Sequence, residues 1–161
     1  MLESKPMVTV ITGAANGIGR ATCELLKANG ASTIVCDREE CDEENYIFLD
    51  LSEPESISEC VRSLPENIDA LINCAGIAPT NGNNSSVLQV NWFGTKTLTE
   101  AALWKIKPGG SVTTVASRAG AKWDENISQL RQLSNISENE LEKILDIDIL
   151  TPARAYELSK E

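Results

Sequence analysis

An α/β protein with a doubly wound parallel sheet is the fold class that this sequence predicts, from three observations. Short β-branched runs alternate with amphipathic helical patterns between residues 8 and 116. The first run breaks into glycines and passes directly into a helical pattern. Later runs end in Asp, Asn or Ser, at the carboxyl ends of strands where such sheets bind ligands. With right-handed crossovers, this alternation selects a parallel sheet covered on both faces.

The first strand, loop and helix occupy residues 7–20 and the positions that follow. Val8 to Ile11 predicts a buried parallel strand, and the helical pattern runs over residues 18–29. Its apolar positions are Ile18, Ala21, Leu25 and Leu26. In the loop, one glycine allows a tight bend, one allows a ligand to approach, and one allows the helix to pack closely on the strand. These glycines are Gly13, Gly17 and Gly19.

This loop is a candidate phosphate cradle, because the first amides of a helix lack internal partners and lie at its positive end. Asn16 and Ile18 flank the glycines and belong to the same candidate site. The spacing, Gly-x-x-x-Gly-x-Gly, differs from the common dinucleotide pattern Gly-x-Gly-x-x-Gly. An ordinary strand-to-helix connection is therefore the alternative interpretation.

The second predicted strand, residues 32–36, ends at Asp37, 24 positions after Gly13. A carboxylate there can accept both ribose hydroxyls of an adenosine, which favours NAD because it repels a 2′-phosphate. Arg38 leaves NADP open, since a guanidinium can bind that phosphate. The alternative interpretation is that Asp37 and Arg38 are loop residues in an acidic stretch, with no role in cofactor binding.

A third strand is predicted at residues 46–49, before Asp50 and Leu51, and a fourth at residues 69–73. Between them, Ser52 is the predicted N-cap of a helix that begins with Pro54 and runs to about residue 64. The predicted buried stripe of this helix is Ile57, Cys60, Val61 and Leu64. The fourth strand ends at Asn73 and is followed by Cys74, Ala75 and Gly76.

The remaining pattern contains a loop, two predicted helical regions and one strand. Residues 79–86 read as a loop, and residues 87–106 as a long helix that Pro108-Gly109-Gly110 stops, with Asn91 near its start. Residues 111–116 predict the fifth strand, followed by Ser117.

The alternation of strand and helix patterns stops at residues 123–150, which are interpreted as a helical insertion. Residues 127–133 have helical spacing, and Ser137 to Glu140 form a predicted capping box. The insertion is interpreted as a lid, an interaction surface or a plain surface excursion. Thr151 as N-cap and Pro152 as the first helical residue then open a final helix that carries Tyr156 and Lys160.

Length and charge narrow the function classes. The 161 residues are interpreted as a single dinucleotide-binding domain, residues 1–161. The net charge is −10, and residues 37–66 carry eleven acidic and two basic side chains, which argues against a nucleic-acid partner. This stretch and residues 123–150, which carry seven acidic and two basic side chains, are interpreted as two solvated acidic faces. The lack of a membrane-length apolar stretch and of a signal sequence predicts a cytoplasmic protein with no membrane partner.

Cysteine and histidine usage restricts the chemistry. The five cysteines are odd in number and include no Cys-x-x-Cys pair, which argues against a disulfide framework and a zinc site. The chain has no histidine, which removes histidine-based acid–base catalysis and Ser-His-Asp triads. We therefore predict no metal site, and any catalysis must use Tyr, Lys, Ser, Asp or Glu.

Tyr156 and Lys160 are four residues apart and share one face of the final helix. A lysine charge about 4 Å from a phenolate, at an effective dielectric constant near 20, stabilises it by roughly 4 kcal/mol. Such a phenol can act as a general acid or base near neutral pH. A Tyr-x-x-x-Lys pair is weakly specific by itself, because it arises easily by chance on surface helices.

Taken together, these motifs resemble the short-chain dehydrogenase/reductases over the whole sequence from the first strand to the last residue. The matching residues, in order, are Thr12-Gly13-x-x-x-Gly17-Ile18-Gly19, Asp50-Leu51, Asn73-Cys74-Ala75-Gly76, Asn91, Ser117 and Tyr156-x-x-x-Lys160. The resemblance implies a Rossmann-type fold and hydride transfer between a nicotinamide and a secondary alcohol or ketone.

The resemblance also implies residue roles. Tyr156 would exchange the substrate proton, and Ser117 would hydrogen-bond the substrate oxygen. Lys160 would bind the nicotinamide ribose and tune Tyr156, and Asn91 would support a water relay. Asp50 would reach the adenine, with Leu51 beside it. Asn73, Ala75 and Gly76 would line the cofactor.

Two departures from the family pattern narrow the resemblance. Ser117 and Tyr156 lie 39 residues apart, farther than is usual, and the Gly76–Asn91 segment is short. Both features are similar to the bacterial 3α-hydroxysteroid dehydrogenase/carbonyl reductase subgroup, in which an insertion before the tyrosine can obstruct the usual dimer contact. A homodimer is therefore left open, and a hydroxysteroid or another hydrophobic carbonyl compound is the expected substrate.

A further departure from the family pattern is length, because the family continues for roughly 90 residues after the lysine. We accordingly expect a sheet that is incomplete on its C-terminal side, with the fifth strand at an edge. This leaves a second hypothesis, a C-terminally truncated, non-catalytic nucleotide-binding fragment. A third is an epimerase or dehydratase that uses the same Tyr-Lys pair on a nucleotide-sugar.

Overall fold

The computed structural model of the chain describes residues 5–136 and 150–161. Within these ranges five β-strands form one sheet, and six α-helices accompany it. The strands are β1 Val8–Thr12, β2 Ser32–Asp37, β3 Tyr46–Phe48, β4 Ile68–Asn73 and β5 Ile106–Thr114. The helices are α1 Gly17–Ala28, α2 Pro54–Ser63, α3 Asn84–Leu88, α4 Thr95–Ala102, α5 Ile127–Asn135 and α6 Pro152–Lys160. A π-helical segment, Gln89–Gly94, joins α3 to α4.

All pairings in the sheet are parallel, in the order β3-β2-β1-β4-β5. β1 is central, so Val10 lies between Ile34 of β2 and Leu71 of β4. The order reverses at β1, with β2 on one side and β4 on the other. This confirms the predicted doubly wound parallel fold, whose ligands bind at the strands' carboxyl ends on either side of that reversal.

The described residues form two compact units. The first comprises the described parts of Met1–Ala75 and Thr95–Val115 and contains the whole sheet with α1, α2 and α4. The second comprises the described parts of Gly76–Gly94 and Ala116–Glu161 and contains α3, the π-helical segment, α5 and α6. The prediction of a single dinucleotide-binding domain stays a prediction.

Each unit has its own apolar cluster. That of the first unit consists of Ile11, Ala14, Cys23 and Val35, all almost fully buried. That of the second consists of Leu88, Phe93, Leu133 and Leu158, with Trp92, Leu130, Ile136 and Leu150 packed against it. Burial of one large apolar side chain stabilises a fold by about 1.5–3 kcal/mol, so this cluster contributes to the packing of α3, α5 and α6 against one another.

The apolar stripe predicted for α1 is wrong at three of its four positions, because Ile18, Ala21 and Leu25 are exposed. Ile18 and Leu25 are each 65% exposed, whereas Gly19 and Cys23 are the buried residues of the helix. Gly19 is buried because the helix begins in very close contact with the glycine loop. The helical period therefore locates α1 correctly, but the close approach at Gly19 turns a different face towards the sheet.

The predicted cap of α2 is also wrong, although the helix and its buried stripe are confirmed. Glu53 is the N-cap and makes no side-chain cap. The Ser52 hydroxyl instead donates to Asp50 Oδ1 at 2.6 Å. The four predicted stripe residues, of which the last, Leu64, is the C-cap, are each at most 5% exposed.

The largest correction concerns the long helix predicted at residues 87–106. Helical structure begins earlier, at Asn84, changes to π-helical geometry around Asn91, and ends in a 3₁₀ turn at Leu103–Lys105. Ile106 already belongs to β5, and the pairing of β5 with β4 is irregular between Ile68 and Ala70. The Pro108-Gly109-Gly110 sequence thus lies within the bounds of β5, and β5 is an edge strand of the described sheet, as expected.

The end of the chain matches its predicted caps. The Thr151 hydroxyl accepts a hydrogen bond from the Arg154 amide at 3.2 Å, and Pro152 is the first residue of α6. The helix predicted from residues 127–133 is α5. The capping box at Ser137–Glu140 and the apolar positions after it lie outside the described residues.

Candidate functional site

The glycine loop in the first unit brings the ends of β1 and β4 together. Gly13 has a φ of +66°, and a Cβ placed on it would lie 2.6 Å from the Ala75 amide nitrogen. Only glycine permits both the left-handed backbone and this approach. The Thr12 hydroxyl accepts a hydrogen bond from the same Ala75 amide at 3.1 Å. The predicted residues Gly13 and Ala75 are therefore in direct contact.

Helix α1 begins directly after this loop, and no side chain caps the amides of its first turn. Gly17 has a φ of +55°, and a Cβ on Gly19 would lie 2.2 Å from the Gly13 carbonyl oxygen. Asn16, the N-cap residue, makes no side-chain cap, and the first turn of α1 contains no acidic residue. The positive end of this 12-residue helix is therefore not neutralised by its own side chains, which suits a phosphate group.

Asp37, at the end of β2, is fixed against this loop. Its carboxylate accepts hydrogen bonds from the Ala15 amide at 2.9 Å and from the Glu39 amide at 3.0 Å. The Asn16 side chain donates to the Glu39 carboxylate at 3.3 Å. Two carboxylates thus flank the loop, and the neighbouring Arg38 is exposed.

Asp50 and Leu51 lie in a turn that follows β3. Partial burial acts to raise the pKa of Asp50, but hydrogen bonds from Ser52 and the charge of Arg38 outweigh it and lower that pKa. The Ser52 amide and hydroxyl both donate to Asp50 Oδ1. Asp50 is therefore held as a carboxylate, and Leu51 is buried beside it.

Asn73, at the end of β4, links three elements of the first unit. Its Nδ2 donates to the Thr99 hydroxyl of α4 at 3.0 Å and to the Thr114 hydroxyl of β5 at 3.3 Å. Its Oδ1 is buried without a hydrogen-bond partner. The side chain therefore positions the strand end from within the protein.

Asn91 links two segments of the second unit. Its Oδ1 accepts from the Ile77 amide at 2.8 Å, and its Nδ2 donates to the Ile77 carbonyl at 3.1 Å and to the Ser159 hydroxyl at 3.2 Å. A Cβ on Gly76 would lie 3.1 Å from Asn91 Oδ1. The π-helical turn thus projects Asn91 so that it clamps the segment after β4 to α6.

Lys160 approaches the same segment from α6. A Cβ on Gly76 would lie 3.4 Å from Lys160 Nζ, and this amine lies 5.7 Å from the centroid of the Tyr156 ring. Burial lowers the pKa of Lys160. The structure therefore brings together Gly76, Asn91 and Lys160, with Tyr156 one helical turn away.

Ser117 precedes a single 3₁₀ turn, Arg118–Gly120. Its hydroxyl accepts a hydrogen bond from the Ala119 amide at 3.1 Å, which fixes the serine side chain. This turn contacts the end of α6 at the Lys160 carbonyl. The second unit therefore contains all four residues predicted to be catalytic.

Several contributing residues were missed from the sequence. The Ser159 hydroxyl accepts a hydrogen bond from Asn91, and Glu39 supplies the second carboxylate beside the loop. Gly120 packs on the backbone of Lys160. Gly120 could have been suspected as a glycine three residues after the candidate serine. Ser159 gave no signal, because a serine on a helix is ordinary and its partner is 68 positions away.

Comparison with known families agrees with this geometry. Residues 7–129 match the family model described as short chain dehydrogenase. The chain belongs to the short-chain dehydrogenase family. The parallel sheet described above is the Rossmann-type fold expected of this family.

Two bacterial members of the family with assigned activities are similar to this chain. Coniferyl-alcohol dehydrogenase of Pseudomonas sp. (strain HR199 / DSM 7063) is 36% identical over 155 residues, covering 94% of this chain and 60% of the relative. The 3-alpha-hydroxysteroid dehydrogenase/carbonyl reductase of Comamonas testosteroni is 31% identical over 128 residues, covering 74% and 48% respectively. The chain thus spans about half to three-fifths of the length of these relatives.

A solved structure supports the same placement. The 3-alpha-hydroxysteroid dehydrogenase from Pseudomonas sp. B-0831, complexed with NADH, matches with a TM-score of 0.79 at 29% identity. The match covers 95% of this chain and 61% of that one. This likeness includes both units of the chain and agrees with the subgroup resemblance.

Within the described ranges, every helix is too short or too polar to cross a bilayer. The same residues contain no group of three acidic or cysteine side chains that could hold a metal ion. All five cysteines are free thiols.

Proposed function

We propose that this chain supplies the cofactor-binding and proton-transfer groups of an enzyme that moves a hydride between a nicotinamide and a secondary alcohol or ketone. The observation that carries the proposal is the cluster of Gly76, Asn91 and Lys160 beside Tyr156, in the same unit as Ser117. A half-buried amine near a phenol, with a fixed serine hydroxyl in the same unit, can serve proton transfer to a carbonyl oxygen during its reduction.

The residues of the first unit fit a dinucleotide. The open N-terminus of α1 suits the pyrophosphate, and the missing Cβ at Gly13 leaves the backbone free to approach it. Asp37 offers carboxylate oxygens for ribose hydroxyls. Asp50 is the proposed adenine contact, with Leu51, Asn73, Ala75 and Gly76 along the cofactor.

NAD is the proposed cofactor, in preference to NADP. The carboxylates of Asp37 and Glu39 lie at and just after the end of β2, where the adenosine ribose is proposed to bind, and each would repel a 2′-phosphate on that ribose. Arg38 is exposed, and its charge acts on Asp50. This arrangement favours the free ribose hydroxyls of NAD.

The bound nicotinamide supplies or accepts the hydride, and this chain's residues handle the proton. In reduction, the Tyr156 hydroxyl donates a proton to the substrate oxygen while Ser117 hydrogen-bonds that oxygen. The resulting phenolate is stabilised by the Lys160 ammonium and regains a proton from water. In oxidation the same proton moves in reverse, from the substrate hydroxyl to Tyr156.

Asn91 is proposed to act through position. All three hydrogen bonds found for its side chain go to Ile77 and Ser159. Asn91 therefore joins the segment after β4 to the helix that carries Lys160. Asn91 would also support the water relay to Lys160 that the family resemblance implies. The proposed substrates are hydrophobic secondary alcohols or ketones such as hydroxysteroids, or aromatic alcohols like that named for the first relative.

The decisive experiment compares the chain with its Tyr156→Phe variant, using nicotinamide absorbance and a panel of ketones and alcohols. We expect the variant to bind NADH as the parent does and to lose turnover by about 10²- to 10⁴-fold, because the proton donor is removed. Tyr46→Phe is the matched control. It removes one hydrogen bond to the Asp37 carbonyl in the first unit and should retain turnover.

Three outcomes separate the hypotheses. Unchanged turnover in Tyr156→Phe would refute the proposed proton donor. NADH binding without turnover by the parent chain would favour the non-catalytic nucleotide-binding fragment. Turnover of a nucleotide-sugar without net change in NADH would favour the epimerase or dehydratase hypothesis.

A further inference from the structure

Gly120 makes the closest approach in the second unit. A Cβ placed on Gly120 would lie 2.1 Å from the Lys160 carbonyl oxygen and 2.7 Å from its carbonyl carbon. It would also lie 3.1 Å from the Glu161 amide nitrogen. All three atoms belong to the backbone at the end of α6, so no side-chain rotation could make room.

Gly120 is required because no room exists for a side chain at this position, and not because of its backbone conformation, which any residue can adopt. Its φ is not among the positive values found in the chain. A larger residue at this position is therefore excluded only by the contact with α6.

Ser117 is rigidly connected to this contact. The Gly120 amide donates to the Ser117 carbonyl at 3.1 Å, and the Ala119 amide donates to the Ser117 hydroxyl at 3.1 Å. Serine and glycine are thus the two ends of one hydrogen-bonded turn. A displacement of Gly120 from α6 would carry the serine hydroxyl with it.

Lys160 and Tyr156 are connected to the contact from the other side. The touched carbonyl belongs to Lys160, whose amine approaches Gly76, and Tyr156 lies one turn earlier on α6. The Gly120–Lys160 contact is therefore where the turn that carries the serine meets the helix that carries the other two groups.

We propose that Gly120 is a positioning residue whose missing side chain sets the spacing between the Ser117 hydroxyl and the Tyr156–Lys160 face of α6. The inference rests on the proposed function for its effect on turnover, but not for its effect on Lys160. A methyl group at position 120 pushes the turn and the helix apart by about 1 Å, which is enough to misalign groups that must act together.

The test compares Gly120→Ala with Ala121→Ser, which adds one atom at the adjacent exposed position. The titration of Lys160 is followed by NMR of the reductively ¹³C-methylated chain, with Lys160→Arg to assign the signal. We expect Gly120→Ala to move the pKa of Lys160 upwards, because the displaced helix end admits water to the amine. Ala121→Ser should leave that titration unchanged.

Turnover provides the second measurement. Gly120→Ala should lower kcat about 10²-fold with a much smaller change in KM, and should displace the pH profile along with Lys160. A purely structural role would lower thermal stability and leave the pH profile in place. Wild-type Lys160 titration and wild-type kcat in a folded Gly120→Ala variant would overturn the proposal.

A third variant covers the case in which Gly120→Ala does not fold. Ala119→Gly loosens the same turn without adding an atom, and should lower kcat by about two- to fivefold while broadening the Lys160 signal. Unaltered kcat and signal in that variant would contradict the proposal. A parent chain without turnover, combined with a displaced Lys160 titration in Gly120→Ala, would refute the redox function while supporting the positioning role.

Discussion

Burial of the Lys160 side chain sets its electrostatic behaviour. The amine is partly withdrawn from water beside Gly76 and Asn91, and this desolvation lowers the pKa of Lys160. A lysine whose proton is held less tightly can exchange it more readily near a phenol. The same burial has a consequence for stability that does not depend on catalysis.

Lys160→Met should weaken the pH dependence of stability. Since the folded-state pKa of Lys160 lies below its unfolded value, the unfolded chain binds more protons between the two values, and wild-type stability rises with pH across that window. The cost of burying the charge is fully present below the folded pKa. Urea unfolding from pH 7 to 11 should therefore show a shallower rise for Lys160→Met than for the parent.

Lys122→Met is the control for this measurement, because Lys122 is exposed. It should retain the wild-type slope of unfolding free energy against pH. Parallel curves for the parent and Lys160→Met would contradict the desolvation of this amine.

Asp37→Ala should weaken NADH binding by about 10- to 100-fold and reduce the preference for NADH over NADPH. The variant removes the acceptor for the Ala15 and Glu39 amides and one of two charges that repel a 2′-phosphate. Fluorescence titration with both cofactors measures the effect. Asp42→Ala, at an exposed position in the same acidic stretch, should bind as the parent does; equal losses in both variants would refute a specific role for Asp37.

At the scale of elements, helix ends decide where functional groups are presented. α1 begins without a side-chain cap and leaves its amides open, whereas α6 begins with a Thr151 cap and a proline. The difference fits their proposed roles, since α1 faces an anion and α6 carries side chains that need a fixed orientation.

Thr151→Ala should destabilise α6 by about 1 kcal/mol, because the Arg154 amide loses its side-chain acceptor. Hydrogen exchange of the α6 amides should accelerate by roughly fivefold, with little change in α1. Thr22→Ala removes a hydroxyl that bonds only to a carbonyl of its own helix and is the matched control. Equal acceleration of α1 and α6 exchange in Thr151→Ala would indicate global rather than local destabilisation.

At the scale of the whole molecule, the two units divide the proposed work. The first contains the glycine loop, Asp37 and Asp50, and the second contains Asn91, Ser117, Tyr156 and Lys160. The stability of the first depends on links between distant segments, of which Asn73 is the clearest.

Asn73→Ala should lower the free energy of unfolding by about 1–2 kcal/mol, because the side-chain hydrogen bonds that join Asn73 to Thr99 on α4 and to Thr114 on β5 are lost. Chemical denaturation gives this value directly. Asn45→Ala, at an exposed position, should change it by less than about 0.5 kcal/mol. A loss no larger than that of the control would show that Asn73 does not link these elements.

The sequence was sufficient for strands β1 to β4, most helices and the order of the motifs, because β-branched runs, helical period and glycine spacing are local signals. Thr151 and Pro152 located the start of α6 for the same reason. Prediction failed where a neighbour distant in sequence decided the outcome. Ser52 bonds Asp50 instead of capping α2, and Gly19 turns α1 so that Ile18 and Leu25 face outwards.

By itself, the sequence determined the doubly wound fold, which follows from residue types and their spacing along the chain, and its resemblance to a family named the candidate site residues. Only the tertiary structure decided how those residues are held. The Asn91 clamp spans 68 positions to Ser159, and the Gly120 contact brings a turn against a helix end 40 positions away. Such contacts depend on distances between atoms that no local pattern encodes, so they become visible only once the chain has folded.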